Sequence, residues 1–239
     1  MASILIERDR EETEEEGRVR RAIFNAFISN KFDWSPYVFY SHELVQCSDK
    51  SFYIRQLHDP TAPKNLSIPP YMMNKHMLKG TMFHEHLPKI APLMVDPKEI
   101  EGYELEKTIS YKDIKVVFHC DLLTTDCAWE FKFTSIYLAY IKNSSIDKWL
   151  PQSNGYAVVF CKPKSKLVLV DKEDFRTRIW EMQRINSGLK GLLERAYQMS
   201  VCFRIGKKLD EEKPLHYNEC DNCNYNMICE NAKRQKKEP

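Results

Sequence analysis

In the run Cys120-Asp-Leu-Leu-Thr-Thr-Asp-Cys-Ala-Trp-Glu-Phe-Lys-Phe-Thr134, Glu130 and Lys132 stand two residues apart inside an otherwise apolar, strand-like segment. Period-two alternation sorts Cys127, Trp129, Phe131 and Phe133 onto one face and Asp126, Ala128, Glu130 and Lys132 onto the other. In the preceding run, Val117, His119 and Asp121 share a face, with Val116, Phe118 and Cys120 opposite. The Leu-Thr-Thr link is short enough for a hairpin-like return, which would bring Asp121 and Glu130 together with Lys132 beside them. Carboxylates that close repel each other unless a cation lies between them. The pattern therefore admits two readings: a solvated Glu–Lys pair, worth little to stability, or a cation site.

A second group with chemical potential lies near the C-terminus. Cys220, Cys223 and Cys229 follow a C-x2-C-x5-C spacing in a polar stretch. Three clustered cysteines in a reducing compartment point to a metal or cluster site. Soft thiolates select zinc or iron–sulfur centres, both commonly held by four cysteines. Cys47 is the best candidate for the fourth ligand, because it sits in a comparable polar helical context. Cys120, Cys127 and Cys161 lie in runs that read as core, where buried thiols are usually inert, and Cys202 follows a long helix.

The rest of the chain must position these groups. Its 239 residues suffice for one large domain with a buried core, and 43% hydrophobic content excludes a disordered chain. A formal charge of +2 provides no global field for nucleic acid, so such binding would need local basic patches. The first residues resemble neither a secretory nor a transit signal. No run approaches the roughly 20 apolar residues that span a bilayer, so a cytoplasmic protein with reduced cysteines is expected. The acidic run Glu11–Glu16 and the basic run Lys233–Lys237 read as solvated ends.

Helical spacing predicts a helix over 17–30, one or two short helices over 41–58, and a helix from about Met72 to Ile90 carrying Gly80, His84 and His86. Four prolines make 59–70 a loop. Three strands are expected near 102–111, 114–122 and 126–133. A helix follows from about Asp147 to Phe160, with Pro151 in its first turn, then a strand over Lys166–Asp171. A long helix is expected from about Glu173 to Met199, on the stripe Phe175, Ile179, Met182, Ile185, Leu189 and Leu193. Helices around an antiparallel three-strand meander give an α/β sandwich.

Taken together, these segments resemble a known family. Cys47-Ser-Asp-Lys-Ser-Phe-Tyr-Ile-Arg55 is similar to the cysteine helix of the RecB-like, CRISPR-associated iron–sulfur nucleases, and the C-x2-C-x5-C tail resembles their other three cluster ligands and those of AddB-type nuclease domains. Between them, Gly80-Thr-Met-Phe-His84 is similar to the G-x-x-x-H motif. Asp121 and Glu130-Phe-Lys132 are similar to the acidic residue and E-x-K of the PD-(D/E)xK nuclease fold, and Gln152-Ser-Asn-Gly-Tyr156 to the Q-x-x-x-Y helix. The motifs keep the family's order over about 41–230. Ser48 replaces the family's proline and Cys120 its usual small residue, without removing a ligand.

The resemblance implies a single nuclease domain over 1–239. It implies a PD-(D/E)xK, restriction-endonuclease-like core at about 72–200, and an added helical region from about 41–58 and 202–232 holding a 4Fe-4S cluster on Cys47, Cys220, Cys223 and Cys229. Mn²⁺ or Mg²⁺ would sit on Asp121, Glu130, His84 and the Phe131 carbonyl. Lys132 would orient the water or stabilise the transition state, with Gln152 and Tyr156 positioning the phosphate. The implied activity is cleavage of single-stranded DNA, chiefly from ends, in CRISPR spacer acquisition or other DNA processing. CRISPR adaptation proteins or a second copy of the chain would be partners. Phe52, Tyr53, Arg55 and Lys75 would line an arch over the strand. An adaptor module with a structural zinc, and a sequence-specific endonuclease on the same core, are the competing readings.

Overall fold

The alternation between Gly102 and Phe133 folds as a meander. In the computed structural model, which describes residues 35–58, 84–134, 146, 149–171, 177–209 and 229, strands β2 (Ile100–Tyr111), β3 (Ile114–Thr124) and β4 (Cys127–Thr134) pair antiparallel in sequence. β5 (Lys164–Asp171) adds parallel to β4, and β6 (Thr177–Gln183) pairs antiparallel with β5. A short first strand, β1 (Val38–Tyr40), lies parallel to β3 over Lys115–Val117 and completes a six-stranded mixed sheet.

The parallel β4–β5 step needs a crossover, supplied by helix α3 (Leu150–Val159). Because β5 is covered on both sides, its sequence reads as the near-continuous run Leu167-Val-Leu-Val170. Leu167 and Leu169 pack with Ile146, Trp149 and Trp180, while Val168 and Val170 face the opposite core. On one side of the sheet, α3 and α4 (Asn186–Arg204) bury Tyr156, Val159, Leu192, Leu193, Ala196 and Met199 against Val116, Phe118 and Ala128. Gly155 permits this approach, since a Cβ there would lie 3.0 Å from Phe118 Cε1. On the other side, helix α2 (84–90) and the turn after it set Leu87 and Ala91 on Leu122, Trp129 and Phe131.

Two expectations change. The segment expected as one helix from Glu173 to Met199 is instead β6 followed by α4. Its stripe suits a helix in spacing, but the outer edge of β5 requires a hydrogen-bonding partner, and Trp180 opposite Leu167 joins the small core there. Ile179 is left 54% exposed, which a core-facing stripe would not allow. Cys161, expected in the core, is exposed at φ 58° just past α3. The 41–58 region divides as expected, into a 3-10 turn (Ser41–Val45) and α1 (Ser48–His58). The helix over 17–30, the proline-rich loop and the first part of the helix from Met72 lie outside the described residues.

Leu87 is fully buried and fastens α2, which carries His84, to the sheet. Leu87→Ala should lower unfolding free energy by about 2–5 kcal/mol, measurable by urea denaturation; a loss below 1 kcal/mol would mean that this contact does not hold the helix.

Candidate active site

The β3–β4 ladder is short: only Leu122 with Trp129 and Leu123 with Ala128 pair. Beyond it, β4 stays with β5 through Thr134, whereas the same edge of β3 is next paired at Lys115–Val117, with β1. The two strands therefore part where the same register would set Asp121 against Glu130. Both carboxylates are buried in that opening, Asp121 at 4% and Glu130 at 2% exposure.

Each has one oxygen engaged. Asp121 Oδ2 accepts a hydrogen bond of 2.6 Å from the Phe131 amide. The N–H and C=O of a strand residue point to the same edge, so the Phe131 carbonyl also turns toward the opening while its ring enters the core. Glu130 Oε1 is ion-paired with Lys132, and its Oε2 is buried with no hydrogen-bond partner among the described residues. The Glu130–Lys132 pair is thus no solvated surface bridge. A buried carboxylate oxygen left bare costs about 1–3 kcal/mol or more, and a cation would remove that cost. The donor set, two buried carboxylates, a carbonyl and a histidine, suits a divalent ion of the Mg²⁺ or Mn²⁺ type.

His84 reaches the opening from α2. Its Nδ1 lies 2.6 Å from Glu104 Oε1 and 3.6 Å from Asp121 Oδ1. His84, Glu104 and Asp121 offer ligand atoms within 4.8 Å of one another. Burial pushes Asp121 well above the usual carboxylate range, and the charge of Glu130 adds to the shift. For His84, burial disfavours the imidazolium, but the hydrogen bond to Glu104 and the charges of Asp121, Glu104 and Glu130 outweigh it and raise the pKa to about 9. His86, on the same helix, is exposed.

Glu104 was not expected. Tyr103 pairs with Leu122 and Leu105 with Cys120, so Glu104 stands opposite Asp121 across the β2–β3 ladder. It adopts φ 48°, a left-handed conformation that is uncommon for any residue but glycine. The strands reverse their faces at this point: Leu105 and Cys120 pack under α3 and α4, whereas Tyr103 and Leu122, each two residues away, pack under α2. Simple alternation does not foresee the reversal. Counting register back from the two-residue turn at Lys112 and Asp113 would have paired Glu104 with Asp121 from sequence alone.

Gln152 and Tyr156 approach from α3. Gln152 Nε2 donates to the Tyr156 hydroxyl at 2.6 Å, and that hydroxyl lies 3.1 Å from Ser41 Oγ. The Tyr156 ring packs edge-on against Phe118 in the core. Burial raises its pKa far above normal, with Glu130 and Asp121 adding to the shift. Gln152 Oε1 is buried with no hydrogen-bond partner among the described residues.

Two of the four cysteines can be placed. Cys47 directly precedes α1, and Cys229 Sγ donates to Asp49 Oδ2 in the first turn of that helix at 3.2 Å. Both are buried. The chain thus returns its C-terminal cysteine to the segment bearing the N-terminal one; Cys220 and Cys223 lie outside the described residues. Arg55, expected to line an arch, is instead buried: it ion-pairs with Glu43, donates to Val38 O at 2.7 Å and stacks on Phe39. Tyr53 is buried too, Phe52 packs against the main core, and Lys75 is outside the described residues.

No family model and no curated protein matches the sequence. Among solved structures, SSO0001 overlays with a TM-score of 0.63 at 15% identity, covering 92% of this chain and 98% of that one; the likeness is one of fold. An alkaline exonuclease from Laribacter hongkongensis overlays at TM-score 0.44 and 12% identity, over 72% of this chain and 92% of its own. A phage related exonuclease from Haemophilus somnus gives 0.40 and 11%, over 81% and 83%. Overlays that loose carry no argument about activity.

The raised His84 pKa fixes a sign. Its folded value of about 9 exceeds the ordinary 6.5, so in metal-free protein its contribution is complete below pH 6.5 and lost as pH rises through 9. Thermal denaturation in chelator should show stability falling over that window by on the order of 1–3 kcal/mol, and His84→Ala should flatten the slope. An equal slope in the variant would assign the titration elsewhere.

Proposed function

We propose that this chain is a metal-dependent deoxyribonuclease that hydrolyses phosphodiesters at the opening between β3 and β4. One observation carries the reading: Asp121 and Glu130 are buried at the parting of two strands, with Glu130 Oε2 lacking a hydrogen-bond partner among the described residues and a lysine and a histidine beside them. A cation on that oxygen would supply its missing partner, and phosphoryl transfer uses such a charge arrangement.

Asp121, Glu130, His84 and the Phe131 carbonyl would hold the ion. When bound, a divalent ion lowers the pKa of a water and polarises a phosphoryl oxygen. Lys132, two residues along the same strand face from Glu130, holds a positive charge where the attacking water must be oriented and negative charge develops. Gln152, fixed by Tyr156 and through it by Ser41, orients the scissile phosphate from the α3 side. The Phe131 amide restrains Asp121, leaving Oδ1 for the ion.

The finer assignment rests on the sequence resemblance. Single-stranded DNA is the substrate, attacked chiefly from its ends, and a 4Fe-4S cluster on Cys47, Cys220, Cys223 and Cys229 staples the chain ends together within one domain. The approach of Cys229 to the start of α1 supports that bracket. CRISPR spacer acquisition, with its adaptation proteins as partners, is the setting that the same motifs suggest. No described helix is long and apolar enough to cross a membrane.

End-labelled single-stranded DNA should be degraded with Mn²⁺ or Mg²⁺ and spared in chelator. Glu130→Ala and Lys132→Ala should each reduce the rate by 10²-fold or more, on the scale of removing one charge-stabilising group. If folded wild type with its cysteine site loaded leaves the DNA intact, the non-catalytic binding module becomes the better reading.

A further inference from the structure

The turn that carries Ser41 to Tyr156 also carries His42, which no step above uses. Glu43 is fully buried in that turn, accepts from the Tyr40 amide at 2.9 Å and ion-pairs with Arg55, so the turn is fixed in place. The His42 imidazole is partly buried and stacks on the Tyr40 ring, with centroids 6.0 Å apart and planes 22° from parallel. Lys132 approaches from the sheet: it pairs with Leu169 and so shares the face that α3 covers, where Ser41 meets Tyr156. Lys50, in the first turn of α1, and Arg55, farther along that helix, act on the imidazole as well. Resting on the nuclease reading, we propose that His42, with Lys50 and Lys132, contacts a phosphate of the DNA strand and takes up a proton as that phosphate arrives.

Three cations face the imidazole, and two of them are matched, Arg55 by Glu43 and Lys132 by Glu130. A divalent ion on Glu130 would weaken the second match and leave the group around His42 in positive excess. A phosphodiester is the substrate anion that neutralises such an excess. Burial takes His42 down from 6.5 to about 4; Glu43 opposes this, and Lys132, Lys50 and Arg55 reinforce it. The imidazole is therefore neutral in the free protein near pH 7, and an anion among these cations reverses their effect on it. Histidine suits this place better than another lysine, whose charge would repel its neighbours whenever DNA is absent. A separate observation marks the same pocket as incomplete. At the end of the chain from Ser41 through Tyr156, Gln152 keeps a buried Oε1 with no hydrogen-bond partner among the described residues, a place for bound substrate or its water. The proton comes from solvent on binding and returns there when the product leaves.

Binding of a short oligothymidylate, whose bases do not titrate near neutrality, tests this on the full chain in chelator, where the strand stays intact. Calorimetry in buffers of different ionisation enthalpy should show wild type taking up a fraction of a proton at pH 6 and almost none at pH 8. If the phosphate restores the ordinary value of 6.5 from about 4, affinity should be about fourfold higher at pH 6 than at pH 8. His84, raised to about 9, stays charged across this range. His42→Gln, with its thermal transition intact, should bind equally at the two pH values and take up no proton. Wild-type binding without proton uptake, or a pH dependence that survives in His42→Gln, would overturn the assignment and leave the nuclease reading standing. No binding at either pH would overturn the phosphate contact, and if end-labelled DNA also stays intact with Mn²⁺, the nuclease reading falls with it.

Discussion

The repulsion between Asp121 and Glu130 is the constraint on which the rest of the site depends. Two carboxylates within a few per cent of complete burial cannot both stay ionised without positive charge beside them. The protein provides part of it as Lys132, which pairs with Glu130, and part as His84, whose pKa rises because it stands among acids. Among the described residues the balance is incomplete, since Glu130 Oε2 has no hydrogen-bond partner there. A cation arriving from outside would remove that deficit.

The surrounding layers hold that deficit in place. β4 cannot relax toward β3, because its full length is paired with β5. β1 claims the far part of the β3 edge and is itself clamped by Arg55, which links Val38 and Glu43 to α1. The turn between β1 and α1 delivers Ser41 to Tyr156, so α3 and the N-terminal segment are joined at that point. From the opposite layer, Leu87 seats the helix that presents His84. Burying an Arg–Glu pair adds little net stability; its use here is to fix the path of the chain past the site.

Much of this was legible in the sequence. Alternation in the two runs around Thr124 and Thr125 gave the meander, and the lengths of those runs placed Asp121 beside Glu130. The four-residue spacing of Gln152 and Tyr156 foretold a shared helix face, which their hydrogen bond bears out. Where the reading failed, tertiary demands overrode local pattern. Thr177–Gln183 is a strand because β5 lacks a second neighbour, not because its own residues alternate. Arg55 looked like a basic surface residue for nucleic acid, but a buried glutamate twelve residues earlier claims it. Glu104 was missed because the strand reverses its faces there, and a period of two contains no information about a reversal.

If the carboxylate pair is a cation site, unfolding stability with and without metal will show it most directly. Glu130→Gln removes the repulsion, so the variant should be more stable than wild type in chelator. Saturating Mn²⁺ should then raise wild-type stability, by about 2.7 kcal/mol at a hundredfold excess over Kd, and leave the variant nearly unchanged. A wild type indifferent to Mn²⁺ and Mg²⁺, with a Glu130→Gln variant less stable in chelator, would show that Glu130 is held by Lys132 for structure alone.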